Sequence, residues 1–575
     1  MAVRRLRDVY LIVATGLLAG CGLVYEYLMA AYAGRVLGAL ETVVFAMIGL
    51  MILAMGIGAF AARCFRRPLT AFAVLELAIA FVGGGAVLAI AAVNALAYLA
   101  PVWFADFLGL PDGVDLRGGA MAALESLAGV LPYAIGALLG MLVGMEIPLI
   151  ARIREQLHGH ALSHNAGTVY GADYIGAGVA AGVWIGGMML LPAPVAAALT
   201  AGVNLLVGVG FLVLFARWLG RRTVVLAVGH AAVAAMAVWV GVNGQDLEAR
   251  LEDMLYLDQV VYSKNTAVQR FTVTRRYVGP ERAPVYTLYL NGRTQFASVD
   301  EYIYHDLLVH PALAASARQE RVLVVGGGDG LALREILKWD PQSVTLVDLD
   351  PELVEFFSEP VRAGAEVVNA PLLALNEHSF NDPRVKTRFG DAYLIVDELI
   401  AAGRRFDAIV VDLPDPYHPD LNRLYASRFY AKLRHLLAGD GALAVQSTSP
   451  YHSRSAFMSI GRTLEHAGFA HVEPYHANVP TFGEWGWHLA VPRGRPGSAR
   501  VAEHERLPVE TRWAEPATIA AAFAFPGDFF AGRDDILINR LGNYAAYRYH
   551  QRAWEEGALL PETHAVAQAP PAEIP

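Results

Sequence analysis

Residues 321–350, RVLVVGGGDGLALREILKWDPQSVTLVDLD, constrain this chain more than any other stretch. Val322 to Val325 form a short β-branched run, which suits a strand covered on both faces. Gly326, Gly327, Gly328 and Gly330 allow a sharp turn and close approach of backbone to a ligand. Leu331 to Trp339 place apolar residues at helical spacing, and Val344 to Val347 form a second strand ending at Asp348 and Asp350. Strand, glycine turn, helix and strand make half of a doubly wound fold, whose ligand lies beyond the C-terminal strand ends. Asp348 stands about 20 residues past the glycines, where such folds set an acid on a ribose hydroxyl.

Asp329 narrows the ligand. A phosphate-binding turn avoids a carboxylate at the helix mouth, because the helix N-terminus faces an anion there. An acid at that point suits a cationic group. The expectation is a sulfonium nucleoside carrying an amine rather than a dinucleotide.

The chain is 55% hydrophobic and only 17% charged over 575 residues. Its mean hydropathy of +0.39 points to membrane segments. A net charge of −9, without a basic patch bearing aromatics, argues against a nucleic-acid partner. Two cysteines, Cys21 and Cys64, support neither a disulfide framework nor a cysteine metal site.

Long apolar runs recur at about 9–31, 41–62, 70–99, 121–151, 171–191, 193–216 and 223–243. Each can cross the roughly 30 Å hydrocarbon core as a helix. Seven spans are expected within a membrane domain of residues 1–245, the fourth long enough to hide a re-entrant piece or an eighth. Arginines at 4, 5 and 7, at 63, 66 and 67, at 152 and 154, and at 217, 221 and 222 mark cytoplasmic loops. The loop before the fourth span carries Asp106, Asp112 and Asp115 beside Arg117. This predicts an inner-membrane, multi-pass protein with its N-terminus inside. Seven spans would leave the chain after 243 outside, away from a cofactor made in the cytoplasm, so the side of the downstream region stays open. Leu18 to Cys21 match a lipoprotein box, but the apolar run continues to about Ala33, as an ordinary span would.

Glu26, Glu76, Glu146, Asp173 and His230 fall within spans. Such residues line a passage or docking site for a polycation, or hydrogen-bond between helices. Pro148 and the glycine-rich fifth span predict a break or close packing.

Val268 to Arg276 alternates as a strand, and Val285 to Leu290 pairs plausibly with it before an Asn291-Gly292 turn. These define a small β-hairpin domain over 246–300. Gln295, Asp300, Tyr304 and His305 lead into a helix expected to end near His310-Pro311. A catalytic Rossmann-like domain, of the class I methyltransferase type, is expected over 301–497. Within it Val385 to Arg388 ends at Gly390-Asp391-Ala392, where such folds meet an adenine edge. Phe406 to Val411 ends in Asp412-Leu413-Pro414-Asp415-Pro416. There one carboxylate can take a proton from an amine while the other holds a cationic chain. Ala442 to Gln446 form a further strand, and Thr481 to Trp487 an aromatic loop. An extension follows over 498–559, then a Pro- and Ala-rich tail, 560–575, expected to be disordered.

Together these stretches resemble the spermidine synthase (polyamine aminopropyltransferase) family over about 255–492. The resemblance rests on VQRFTVTR (268–275), LNGRTQFASVDEYIYHDLLVHPAL (290–313), VLVVGGGDG (322–330), VDLD (347–350), GDA (390–392) and DLPDP (412–416). The multi-span region and the NRLGN stretch (539–543) resemble a bacterial subgroup of it. The resemblance implies transfer of an aminopropyl group from decarboxylated S-adenosylmethionine to a diamine, typically putrescine, with methylthioadenosine as leaving product. It implies Asp412 as base, with Tyr304, His305 and Asp415 at the acceptor. Gln269, Gln295, Asp329, Asp348, Asp391 and Ala392 would hold the donor around the turn of Gly326, Gly328 and Gly330. It implies no metal, no cofactor beyond the co-substrate, and a homodimer. Leu413-Pro414, Phe482 and the Ser-Thr-Ser-Pro after Gln446 depart from the family pattern, all at the acceptor end. Two other readings remain: an S-adenosylmethionine-dependent methyltransferase, and a membrane polyamine transporter or sensor with a silent synthase domain.

Overall fold

The computed structural model describes residues 2–37, 40–110, 119–159, 164–256, 258–266, 268–279, 281–363 and 366–555. The acidic loop before the fourth span lies largely outside these residues, as do the tail and the last residues of the extension. The chain divides into two compact units, 1–257 and 258–575.

The first unit is helical: α1 (Ala2–Leu37), α2 (Leu40–Ala61), α3 (Pro68–Phe107), α4 (Gly119–Gly144), α5 (Glu146–His158), α6 (Asn165–Gly186), α7 (Ala193–Leu219) and α8 (Arg222–Asp253). The expected boundary at 245 therefore falls inside α8. Among the described residues, six helical stretches are long and apolar enough to cross a membrane: α1, α2, α3, α4 with α5, α7 and α8. The seventh expected span, α6, is a 22-residue helix whose Asn165, Thr168 and Asp173 sit among glycines. It nevertheless lies along α1 and parallel to it. Gly16 meets Ala172 and Gly20 meets Ala180, and a Cβ on Gly176 would stand 1.9 Å from the Gly16 oxygen. Small residues permit this approach where lipid supplies no hydrophobic drive between helices. The α4–α5 break falls at Met145, because Pro148 has no N–H for the Gly144 carbonyl.

The arginine clusters gather at one end of the bundle. Arg7 donates to the Leu214 carbonyl, Arg152 to those of Ala62 and Phe65, and Arg154 to Asp8. Helix α7 runs antiparallel to α1, and α8 antiparallel to α7, so α8 leaves at the opposite end. Of the intraspan acids, Glu76 and Glu146 are buried, and Asn204 donates to Glu76 at 3.1 Å. Glu26 and Asp173 are half-buried, and His230 is buried against the Leu226 carbonyl.

The second unit opens with an antiparallel sheet of β1 (Gln259–Asn265), β2 (Arg270–Arg276), β3 (Val285–Leu290) and β4 (Arg293–Ala297). Asn291 and Gly292, at φ 50° and 78°, close the β3–β4 hairpin, a left-handed pair that matches strand twist. Helix α9 (Glu301–Ala315) continues through Pro311 rather than stopping there. The proline frees the Leu307 carbonyl, and buried Tyr475 donates its hydroxyl to that oxygen at 2.9 Å.

The main sheet has seven strands. In chain order they are β5 (Arg321–Gly326), β6 (Ser343–Asp348), then, after a two-stranded ribbon of β7 (Arg362–Ala363) and β8 (Glu366–Val367), β9 (Val385–Phe389), β10 (Phe406–Asp412), β11 (Leu437–Gln446), β12 (His471–Val479) and β13 (Gly483–Val491). Their spatial order is β12-β13-β11-β10-β5-β6-β9, parallel from β11 to β9, with β13 and β12 antiparallel at one edge. Alternate residues of β5 and β10 bury on opposite faces. Val322, Val324, Ala408 and Val410 meet α9 and α10 (Leu331–Leu337), whereas Leu323, Val325, Ile409 and Val411 meet the other layer. Helices α11 (Pro351–Ser358), α12 (Ala370–Leu375), α13 (Ala392–Ala401), α14 (Ser427–Leu436) and α15 (Arg454–His466) complete the layers. The extension carries α16 (Gly497–Val501), α17 (Pro516–Ala522) and α18 (Ala545–Glu555).

Candidate active site

Parallel strands β5, β6 and β10 end side by side, which brings Asp329, Asp348, Asp412 and Asp415 to one edge of the sheet. Gly326 pairs with Asp412 in register. At φ +85°, a Cβ on Gly326 would stand 1.9 Å from the Asp412 carbonyl oxygen, so only glycine fits. A Cβ on Gly328 would meet an Asp348 carboxylate oxygen at 2.8 Å. Gly330 caps α10 at φ +78° against Ser379 and Phe380.

Tyr304, on α9, donates its hydroxyl to Asp412 Oδ1 at 2.7 Å. Burial and the Asp412 charge push the phenol far above its usual pKa, so it remains a donor. Burial, and then the Asp329 charge, lift Asp412 to about 6, while His305 and the Tyr304 hydrogen bond oppose the rise. Burial likewise raises Asp329, with His305 opposing, and lifts Asp348 to about 6. A carboxylate poised near 6 is suited to accept a proton at neutral pH.

His305 lies behind Tyr304, 2% exposed, with Nδ1 held by the Glu301 carbonyl at 2.8 Å and Glu301 Oε2 at 2.9 Å. Burial pushes its pKa down, but Glu301, Asp329 and Asp412 outweigh that and carry it to about 9. His305, Asp329 and Asp412 each place a side-chain atom within 4.8 Å of the other two. The charges of these two carboxylates favour the protonated imidazole, which stands beside them as a counter-charge. Glu301 is in turn gripped by Arg334 at 2.9 and 3.0 Å, and Arg334 also holds Glu335 at 2.7 Å.

The loop after β10 is fixed from below. Tyr425 donates to the Pro414 carbonyl at 2.8 Å, and Gln446 to that of Leu413 at 2.7 Å. Asp415 receives Gln446 at 3.3 Å and Thr448 at 3.2 Å, and His550 Nε2 lies 3.3 Å from it.

A model of the spermine/spermidine synthase domain matches residues 301–499. The polyamine aminopropyltransferase of Shewanella oneidensis is 49% identical over 549 residues, covering 96% of this chain and 95% of that one.

The chain belongs to the polyamine aminopropyltransferase family.

Polyamine aminopropyltransferase 1 of Streptomyces coelicolor is 36% identical over 561 residues, covering 95% of this chain and 94% of its own. The solved spermidine synthase of Thermotoga maritima is 22% identical, with a TM-score of 0.40, over 48% of this chain and 88% of its own.

The positions expected at the donor end of an aminopropyltransferase fall into two groups. Asp329, Asp348 and the glycine turn surround one strand-end recess with Asp412. Gln269, Gln295 and Asp391 are each engaged locally. Gln269 donates to Asp350 at 3.1 Å, and the Gln295 amide sits 3.3 Å from the Thr294 carbonyl. Asp391 accepts the Tyr393 N–H at 3.0 Å and pairs with Arg423 at 3.1 Å. Ala392 is the first, buried residue of α13. Phe482 sets its ring edge against Tyr304 at 6.2 Å, and the Thr481 beside it binds Asp300.

Sequence reasoning missed His550, Thr448, Tyr425 and the Arg334 pair. Thr448 alone carried a signal, standing in the segment that departs from the family after β11. It adopts φ +61°, unusual for a β-branched residue, to reach Asp415.

Proposed function

We propose that this chain transfers the aminopropyl group of decarboxylated S-adenosylmethionine to putrescine, giving spermidine and methylthioadenosine. The observation that carries this reading is the 2.7 Å hydrogen bond from Tyr304 to Asp412, beside a glycine turn that holds Asp329. The donor brings a sulfonium and an ammonium, and the acceptor brings two ammonium groups at neutral pH. Joining them is costly unless acids surround the site. Asp329 faces the donor ammonium and would repel the carboxylate of S-adenosylmethionine itself. Asp348 accepts from the ribose. Asp391 would meet the adenine amine once Arg423 swings away, with Gln269 and Gln295 at the edge of the donor.

Asp412 takes a proton from the attacking amine while the Tyr304 hydroxyl fixes the carboxylate orientation. Asp415 holds the distal ammonium. The amine nitrogen bonds to the aminopropyl carbon as the carbon–sulfur bond breaks, and sulfur leaves with the electron pair as the neutral thioether. The step needs alignment more than acid catalysis, because the leaving group departs neutral. We place the helical unit across the inner membrane with its arginine end in the cytoplasm, and two copies of the chain in the working enzyme.

The deciding experiment uses purified full-length chain in detergent, given putrescine with either decarboxylated S-adenosylmethionine or S-adenosylmethionine. Methylthioadenosine with spermidine is expected. S-Adenosylhomocysteine instead would overturn the reading in favour of methyl transfer.

A further inference from the structure

The extension after β13 is built into the second unit rather than trailing from it. Buried Asp306, on α9, accepts the backbone N–H groups of Arg512, Trp513 and Ala514 at 2.9, 2.7 and 3.2 Å. Asn539, fully buried, donates its N–H to Thr463 Oγ1 (2.8 Å) and its side-chain amide to the Asn422 carbonyl (3.2 Å), and accepts the Ser427 N–H at its own carbonyl (3.0 Å). Its side-chain oxygen takes the Ala546 N–H at 3.2 Å, which starts α18. Tyr549 then accepts the Leu537 N–H at 3.2 Å. These bonds fix the face of α18, and that face presents His550.

His550 is 2% exposed, and its Nε2 lies 3.3 Å from Asp415 Oδ2. The same Asp415 oxygen receives Thr448, and the other receives Gln446. A carboxylate offers about four lone-pair positions. Gln446 and Thr448 are donors to Asp415, and with its proton on Nε2 His550 is a third, which leaves about one position for a substrate ammonium on the side that His550 does not occupy. Trp554 aims its indole N–H at the same Nε2 from 3.3 Å, a contact that competes with Asp415 for that nitrogen, and its ring lies tilted against His452 at 4.2 Å behind the imidazole.

We propose that His550 is a positioning residue that sets acceptor selectivity: by occupying one face of Asp415, it fixes how far from Asp412 the distal ammonium of the diamine is held. The inference rests on the reading of Asp415 as the acceptor-binding carboxylate. Removing the imidazole frees a second position on Asp415 and opens space beside it, so a longer diamine gains relative to a four-carbon one.

The test uses the full-length chain in detergent, with methylthioadenosine release followed for putrescine and cadaverine. For His550→Ala, the putrescine KM is expected to rise about tenfold, because the distal ammonium is no longer held at one position on Asp415. The putrescine kcat and the donor KM should stay within about twofold, and the kcat/KM ratio of putrescine to cadaverine should fall. His550→Gln, which keeps an N–H donor, should recover most of the ratio, and Trp554→Phe should leave it near that of the unaltered chain. A ratio unmoved in His550→Ala, or donor and acceptor KM rising together with a loss of kcat that His550→Gln does not repair, overturns the proposal. Unaltered chain that releases methylthioadenosine with neither diamine overturns the proposed reaction, and the selectivity role with it. Turnover by the unaltered chain with an unmoved ratio sinks only His550.

Discussion

Tyr304 Oη stands 2.7 Å from Asp412 Oδ1, joining the first turn of α9 to the last residue of β10. The hydroxyl directs one carboxylate oxygen, and in the proposed mechanism the other takes the proton of the attacking amine. Asp412→Asn should lower kcat by about 10²–10⁴-fold, the usual worth of a positioned general base. Tyr304→Phe should cost about tenfold, since it removes one hydrogen bond to a charged group. Donor affinity, read by calorimetry, should change little in both. Near-normal turnover in Asp412→Asn would remove it as the base.

The pH profile follows from burial. As the proposed base, Asp412, lifted to about 6, must be deprotonated to act. Activity should therefore be lost as pH falls through about 6 and should level off above it. The linkage has the opposite sense: because the folded state binds the proton more tightly, the contribution of Asp412 and Asp348 to stability declines between about pH 4 and about 6. An acid limb near pH 4 in the kcat/KM profile would contradict the assignment.

Gly326→Ala forces a Cβ to 1.9 Å from the Asp412 carbonyl at φ +85°. Strain of this kind costs about 1–3 kcal/mol before the clash is counted. The variant is expected to lose folded protein, read as yield of monodisperse material. Gly328→Ala meets only the Asp348 carboxylate, at 2.8 Å, so it should fold and raise the donor KM.

Arg334→Met leaves Glu301 and Glu335 buried without their shared cation. Removing one partner of a buried pair costs about 3–5 kcal/mol. The thermal midpoint of the full chain should fall by several degrees, and the loss should exceed that from removing the exposed Arg388–Glu398 pair.

The bundle makes a topological prediction. Helix α1 starts at the arginine end and α8 finishes at the other. A phosphatase fused after Asn243 should be active and a fluorescent protein dark, if the arginine end faces the cytoplasm. The reverse result would place the arginine end outside the cytoplasm.

Local signals were legible because their physics is local. The β5 run, the glycines after it and Asp348 at the end of β6 declared strand, glycine turn, helix and strand from spacing alone. Asp329 pointed to a cationic ligand from its place at a helix mouth, and the fold sets it beside Asp412 and His305. The motif resemblance assigned Tyr304 and Asp412 to one site, and the fold brings them into hydrogen-bond contact. Pro311 misled the reading of α9, because the carbonyl it frees is satisfied by Tyr475, 168 residues away. Asp391 was expected at the adenine amine, and what its motif did not show is that Arg423 reaches it from the segment before α14.

The sequence by itself determined the order of elements, the apolar helices, the strand-end acids and the family. Each is written in a window of residues whose periodicity or motif is self-contained. Only the tertiary structure decided which groups share a carboxylate. Asp415 and His550 are 135 residues apart, and nothing in 498–559 marks a histidine as aimed at Asp415. The Glu301–Arg334–Glu335 charges are likewise buried together only because α9 and α10 lie on the same face of the sheet. Such pairings arise from the packing of distant elements, and packing has no signature at the spacing of a motif.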